Sequence, residues 1–442
     1  MKSTELKISL HRFLFVFFVL LFRALLDASY ITVIAGSFAS EGFVLDIQLL
    51  NYVSSWLIYV LSLFLLSDRV RHVSHYFFAT AVLSLVAPLT SLYGLDASRP
   101  VFPVLISIGA LVYAYLICCQ NFINFRGLPV VLGGRVLAVA LSLVFVVFLV
   151  VWFYFSGAKS NLDFSAVYEY REQNAELTAQ GVFAYTNNWT FQVFTIYLIC
   201  FALLARRYLI VVLLLAVQVY FFSIASHKSI LFLPILVVSV WFYLGRSDSL
   251  LILPVACVGV MLLSLLSYSF LDDLWLSSLL SRRVFYVPAD LCFVYFDYFS
   301  THAQVYWSNS VLSSLFIYPY GDIGIPYVIG GYLGKPDMGA NNGFVSSGYA
   351  HAGLFGVFFY ATLVGLLLKL VNDLSSGRMP IWVAVAISLV PLRSLLLSSD
   401  LFTVMLTHGF GIAILMMYLS RKRSVVQDPV IYQELNISKG NS

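Results

Sequence analysis

The feature that most limits what this chain can fold into is a recurrence of apolar runs about 20 residues long, from FLFVFFVLLF (Phe13 to Phe22) to FGIAILMMYL (Phe410 to Leu419). A helix of that length bridges a hydrocarbon core of ~30 Å, and on this criterion the sequence predicts about twelve spans. They fall near 13–35, 47–66, 76–95, 101–119, 136–156, 189–205, 208–225, 229–245, 249–268, 350–371, 380–398 and 401–419. With 61% hydrophobic and 10% charged residues, most of the chain cannot be dissolved without a bilayer. The expectation is an all-α, polytopic membrane helix bundle: a single domain over 1–442 with two long extracytoplasmic loops, 157–188 and 269–349. The first run carries Arg23 and Asp27 and is too long for a signal-peptide core, so it reads as an uncleaved helix.

Basic residues give the orientation. Arg69, Arg71, Arg126, Arg135, Arg206, Arg207, Arg246, Lys369, Arg378 and Arg421-Lys422-Arg423 all fall on one side with the N-terminus, which predicts cytoplasmic termini. The opposite loops are poor in Lys and Arg and hold most of the acids, so the chemistry is expected outside the cytoplasm. Net charge is only +4, with no nucleic-acid signal. Cys118, Cys119, Cys200 and Cys257 lie in apolar runs and Cys292 has no loop partner, so disulfides are not expected.

No HExxH, dinucleotide or P-loop motif is present, nor an Asp-x-Asp for a divalent ion, so neither a metal nor a cofactor is indicated. Arg282 and Arg283 follow the ninth span at headgroup depth, where their forks suit phosphate oxygens and equally suit snorkelling to lipid. Arg171 sits among Glu169, Glu172 and Glu176, either paired on a solvated helix or binding a ligand. Arg393 and Lys228 interrupt apolar spans, and an ionisable group at membrane depth is a functional candidate, with a snorkelling cap the alternative for Lys228. Arg23 and Asp27, at i and i+4, read as a neutralised structural pair. His302 and His351 are candidate bases, since an imidazole titrates near neutral pH; a hydrogen-bonded structural role is the alternative. The stretch GANNGFVSSGYAHAGLFG (Gly339 to Gly356) places Asn341 and Asn342 before a helix, suited to a polar ligand or to glycine-mediated packing.

Three stretches then carry a resemblance: RRVFYVPADLCFVYFDYFSTHAQVYWSNS, GANNGFVSSGYAHAGLFGVFFYA and LRSLLLSSDLFTVMLTHG. In them the chain resembles the O-antigen polymerase (Wzy) family, the repeat-unit polymerases of bacterial surface polysaccharides. The resemblance implies a GT-C-like glycosyltransferase of the bacterial cytoplasmic membrane. It would join repeat units on undecaprenyl-pyrophosphate, with membrane lipids, a chain-length regulator and a flippase as candidate partners. Transfer is expected to be inverting and metal-independent. Arg171, Arg282, Arg283 and Arg393 would stabilise the departing pyrophosphate, and a base would take the acceptor proton: His302 first, His351 second, with Asp297 as a carboxylate candidate. Tyr298, Trp307 and Tyr349 offer faces for sugar rings. Lys228, Asn341 and Asn342 complete the expected substrate contacts. An O-antigen ligase shares this chemistry, and a transporter of lipid-linked sugars is the rival from another class, for which broken helices would be expected.

Overall fold

The computed structural model describes residues 2–164, 167–178 and 181–421. Among the described residues the regular structure is all helix, with no strand and only two isolated bridges, Asp46 to Asp96 and Arg69 to Ser249. Among the described residues, eight helices are long and apolar enough to cross a membrane: Leu10–Ser37, Val73–Leu95, Phe102–Cys119, Gly134–Phe155, Phe183–Leu204, Tyr208–Ala225, Ile252–Leu271 and Phe344–Ser375. Four apolar helices are shorter: Leu49–Leu65, Lys228–Leu244, Ile381–Leu397 and Phe410–Leu419. In hydrocarbon a backbone must pair its own amides, so apolar runs of this length become helices.

Two helices form the centre of the bundle. Val73–Leu95 is small-residue rich, with Ala79, Ala81, Ala87, Ser91 and Gly94, which lets neighbours approach closely. A side chain at Gly94 would collide with Ser55. Pro88 has no amide to give the Ser84 carbonyl, and the helix widens to π geometry over Val82–Val86 just before it. Ile381–Leu397, the second central helix, packs against Val73–Ala81, Lys228–Leu244 and Phe344–Ser375. Beside this centre the Arg23–Asp27 ion pair is enclosed; Asp27 also accepts from Ser91 (2.6 Å) and Trp56 (3.1 Å), and Arg23 donates to Thr90 (3.2 Å). An enclosed pair with every carboxylate oxygen occupied is satisfied structure.

The connections gather at two ends. One, the basic end, joins His11 to Asp68, Arg69 to Asp248 and Arg126 to Asp373. The other, the acidic end, joins Arg99 to Asp96 and Asp290, and Arg282 to Glu41. Lys422 and Arg423, part of the basic C-terminal run, lie outside the described residues, as do 165, 166, 179 and 180 of the loop expected over 157–188.

Part of the second long loop is itself helical. Residues 274–301 are helical, as Leu274–Leu276, a π-helical Ser277–Tyr286 and Val287–Thr301. This helix crosses the acidic end rather than lying free: Ser277 and Ser281 meet Ser264, Tyr286 donates to the Leu26 carbonyl (2.6 Å), and Phe296 stacks on Tyr349. Its apolar face is buried, while Arg283 and Asp297 stay exposed. Charges every few residues hide such a helix from a hydropathy window. The first loop is also shorter than expected, because the next helix begins at Phe183.

Candidate functional site

Two helices break at the acidic end, and the breaks create the site. In Phe344–Ser375 the backbone leaves helical angles at Ala352 and Gly353, the latter at φ 56°, ψ −141°. That combination is open to glycine alone. A Cβ at Gly353 would also strike the Gln304 side chain. The break frees the carbonyls of Ala350 and His351, and the loop after Val287–Thr301 supplies the missing amides: Val305 donates to Ala350 (3.0 Å) and Tyr306 to His351 (2.8 Å). Reaching them forces Tyr306 and Trp307 into left-handed geometry, φ 50° and 56°. Each such residue costs ~1–3 kcal/mol and persists only where surrounding contacts hold it. Here they do. Trp307 stacks on the His351 ring and its indole donates to Tyr360 (2.8 Å).

The second break, at 407–409, divides the span expected over 401–419 into Leu401–Leu406 and Phe410–Leu419, with Gly409 at φ 73° capping the latter. Asp400 caps Leu401–Leu406 through an Oδ1 bond from the Phe402 amide (2.9 Å). Its Oδ2 accepts from Tyr360 (2.7 Å) and from His351 Nε2 (3.2 Å). Burial pushes the Asp400 carboxyl up, but the hydrogen bonds from His351, the Tyr360 hydroxyl and the Phe402 amide outweigh it and hold Asp400 below the ordinary carboxylate range. The Trp307 amide donates to His351 Nδ1 (3.3 Å). Those partners assign the tautomer: the proton is on Nε2, facing Asp400, and Nδ1 is occupied. His351 is thus locked at both nitrogens.

His351 and Asp400 line a cavity of about 450 Å³, together with Asn341, Asn342, Tyr295 and Ser399. Asn342 is buried and donates to the Pro288 carbonyl (3.0 Å); Asn341 is exposed at the mouth. The volume fits a sugar residue, and the lining offers amides, hydroxyls and one ionised carboxylate.

His302 lies outside this cavity. It ends Val287–Thr301, stacked on Tyr298 with ring centroids 3.9 Å apart. Its Nδ1 faces the Tyr298 carbonyl at 2.9 Å, so Nδ1 carries the proton and the Nε2 lone pair is left exposed. Tyr298, Tyr320 and Tyr332 form an aromatic patch around it. Asp297 accepts from Tyr332 (2.7 Å), which holds that phenol above its ordinary range. A second cavity, about 430 Å³, lies on the other side of Asp297 with Arg99 and Tyr349.

No family model, curated protein or solved structure matches this chain.

The expected substrate contacts lie in different settings. Trp307 is buried against the His351 ring, while Tyr349, packed against Phe296, lines the second cavity. Arg282 is paired with Glu41, bonded to Ser278 (2.9 Å) and stacked on Phe38, whereas Arg283 beside it is exposed. The remaining cations lie on other elements. Arg171 donates to the Ser226 carbonyl (3.0 Å), two residues before exposed Lys228, and Lys228–Leu244 packs along Ile381–Leu397, where Arg393 is exposed while its helix neighbours are buried. Sequence reasoning did not assign Asp400 or Tyr360. The signal for Asp400 was local, an acid at the N-cap of an apolar helix. The partner 49 residues away was not.

Proposed function

We propose that this protein is a glycosyltransferase that polymerises lipid-pyrophosphate-linked oligosaccharide repeat units on the extracytoplasmic side of a bacterial membrane. In this reading all twelve apolar helices cross the bilayer, both termini are cytoplasmic, and the acidic end faces outward. The observation that carries it is the cavity at the broken helices, with its sugar-sized volume, its asparagines and the ionised Asp400. The chain's own residues divide the work. Asn341 and Asn342 orient a saccharide. Arg283, Arg393, Lys228 and Arg171 stabilise the charge that collects on the departing pyrophosphate. His302 takes the proton of the acceptor hydroxyl through Nε2, since a base needs an open lone pair. The His351–Asp400–Tyr360–Trp307 network fixes the loop that follows His302 and so positions it.

Two broken helices meeting at one cavity also favour a second reading, a transporter of lipid-linked sugars. Deletion of the gene followed by a glycan ladder gel and a carrier-lipid profile separates them. Polymerase loss leaves single repeat units attached at the surface. Trapped cytoplasmic units would indicate transport, and full chains left on the carrier would indicate a ligase.

A further inference from the structure

At the basic end, far from the site above, three arginines come together with too few acceptors. Arg126 follows Phe102–Cys119, Arg378 follows Phe344–Ser375 and Arg421 follows Phe410–Leu419, so the fold gathers three helix ends. Arg378 Nη2 and Arg421 Nη2 donate to one and the same oxygen, the Arg126 carbonyl, at 2.8 and 2.9 Å. Two guanidinium nitrogens on one oxygen are within ~6 Å of each other, and like charges that close repel unless an anion intervenes.

The carboxylate nearest to hand is already used. Asp373 Oδ1 takes Arg126 Nε (3.3 Å) and Lys369 Nζ (3.4 Å), and its Oδ2 takes the Phe125 amide (3.1 Å). Among the described residues nothing accepts from Arg378 Nη1 or from Arg421 Nε and Nη1, although all three atoms are buried. Arg421 as a whole is only 3% exposed. A buried donor without an acceptor costs ~1–3 kcal/mol, more when charged, so three of them in one place mark a missing partner. Gly134–Phe155 adds to the field: it starts against the Leu419 carbonyl, and its N-cap, Gly133, has no side chain to cover its first amides.

We propose that Arg126, Arg378 and Arg421 form a binding site for a phosphate group at the basic end of the bundle. Guanidinium forks meet phosphate oxygens bidentately, and helix ends lie at the depth of lipid headgroups. The same chemistry is offered by an anionic phospholipid of that leaflet and by free phosphate. The inference stands apart from the reading of the acidic end, and either can fail alone.

The test uses the full chain, delipidated in a neutral detergent. Native mass spectrometry follows rebinding of phosphatidylglycerol, with phosphatidylcholine as control, and thermal unfolding is compared in inorganic phosphate and in chloride at equal ionic strength. Wild type is expected to retain one phosphate-bearing ligand at least tenfold more tightly than Arg421→Gln or Arg378→Gln. Retention of phosphatidylglycerol without any effect of inorganic phosphate assigns a headgroup; stabilisation by phosphate that displaces the lipid assigns a site for the free anion. Should Arg421→Gln fail to fold, the half-buried Arg378→Gln decides alone. Equal binding by wild type and variant in both arms overturns the proposal.

Discussion

His302 and His351 are the same side chain in opposite settings, and the contrast separates a group that can react from one that holds structure. His351 is enclosed, with each nitrogen engaged and its ring stacked on Trp307. His302 is exposed, with one nitrogen engaged and one free. Burial is usually taken as the mark of a functional histidine. Here the exposed one has the open lone pair, and the buried one determines where the chain around it goes.

The largest expected effect breaks or keeps this contrast. His302→Gln should lower the polymerisation rate on the order of 10²-fold or more with an unchanged thermal midpoint, whereas His351→Gln should lower the midpoint too. Rate assays on lipid-linked repeat units beside thermal scans check both. Normal polymerisation by His302→Gln with loss in His351→Gln would reverse the roles; activity in both would make Asp297 the next base to replace.

Next in size is Gly353→Ala, which strains the break that His351 sits beside. A loss of ~1–3 kcal/mol is expected, read by denaturation in detergent, and an unchanged stability would mean the break can relocate. Arg283→Lys keeps the charge but loses the fork, and should cost about tenfold in activity; Arg282→Lys, still able to pair with Glu41, should cost less. Equal losses would show that both arginines reach substrate.

Acid sharpens the contrast differently. Because Asp400 is held below the ordinary carboxylate range, its stabilising contribution is complete at neutral pH and is lost only as pH falls below that range and through the lowered value. Asp400→Asn should flatten this part of the stability profile. The smallest effect is expected from EDTA. Among the described residues no group of three His, Cys, Asp or Glu side chains could hold a metal ion, and activity in chelator should match that without it.

Spans are legible in the sequence because lipid imposes one rule over ~20 residues: the expected 101–119 and 208–225 emerge as Phe102–Cys119 and Tyr208–Ala225. Where a helix serves another purpose the signal fails. Residues 274–301 carry Arg282, Arg283, Pro288, Asp290 and Asp297, so their average hydropathy reads as loop although one face is packed. The break at 407–409 lies inside an apolar run, and only Gly409 hints at it. The candidate site was half legible. Asn341, Asn342 and His351 were marked by residue type near a helix start, but the pairing of His351 with Asp400 and the burial of Trp307 are decided by contacts distant in the chain, and no local pattern encodes them.

The Arg282–Glu41 pair has a consequence for the residue beside it. Arg282 holds the Glu41 carboxylate, the Ser278 hydroxyl and the Phe38 face, and so works as a latch between the helix that crosses the acidic end and the turn after the first span. Arg283, one residue on, carries its charge into the open. The loose arginine is moored through its neighbour, and its own fork is left unspent.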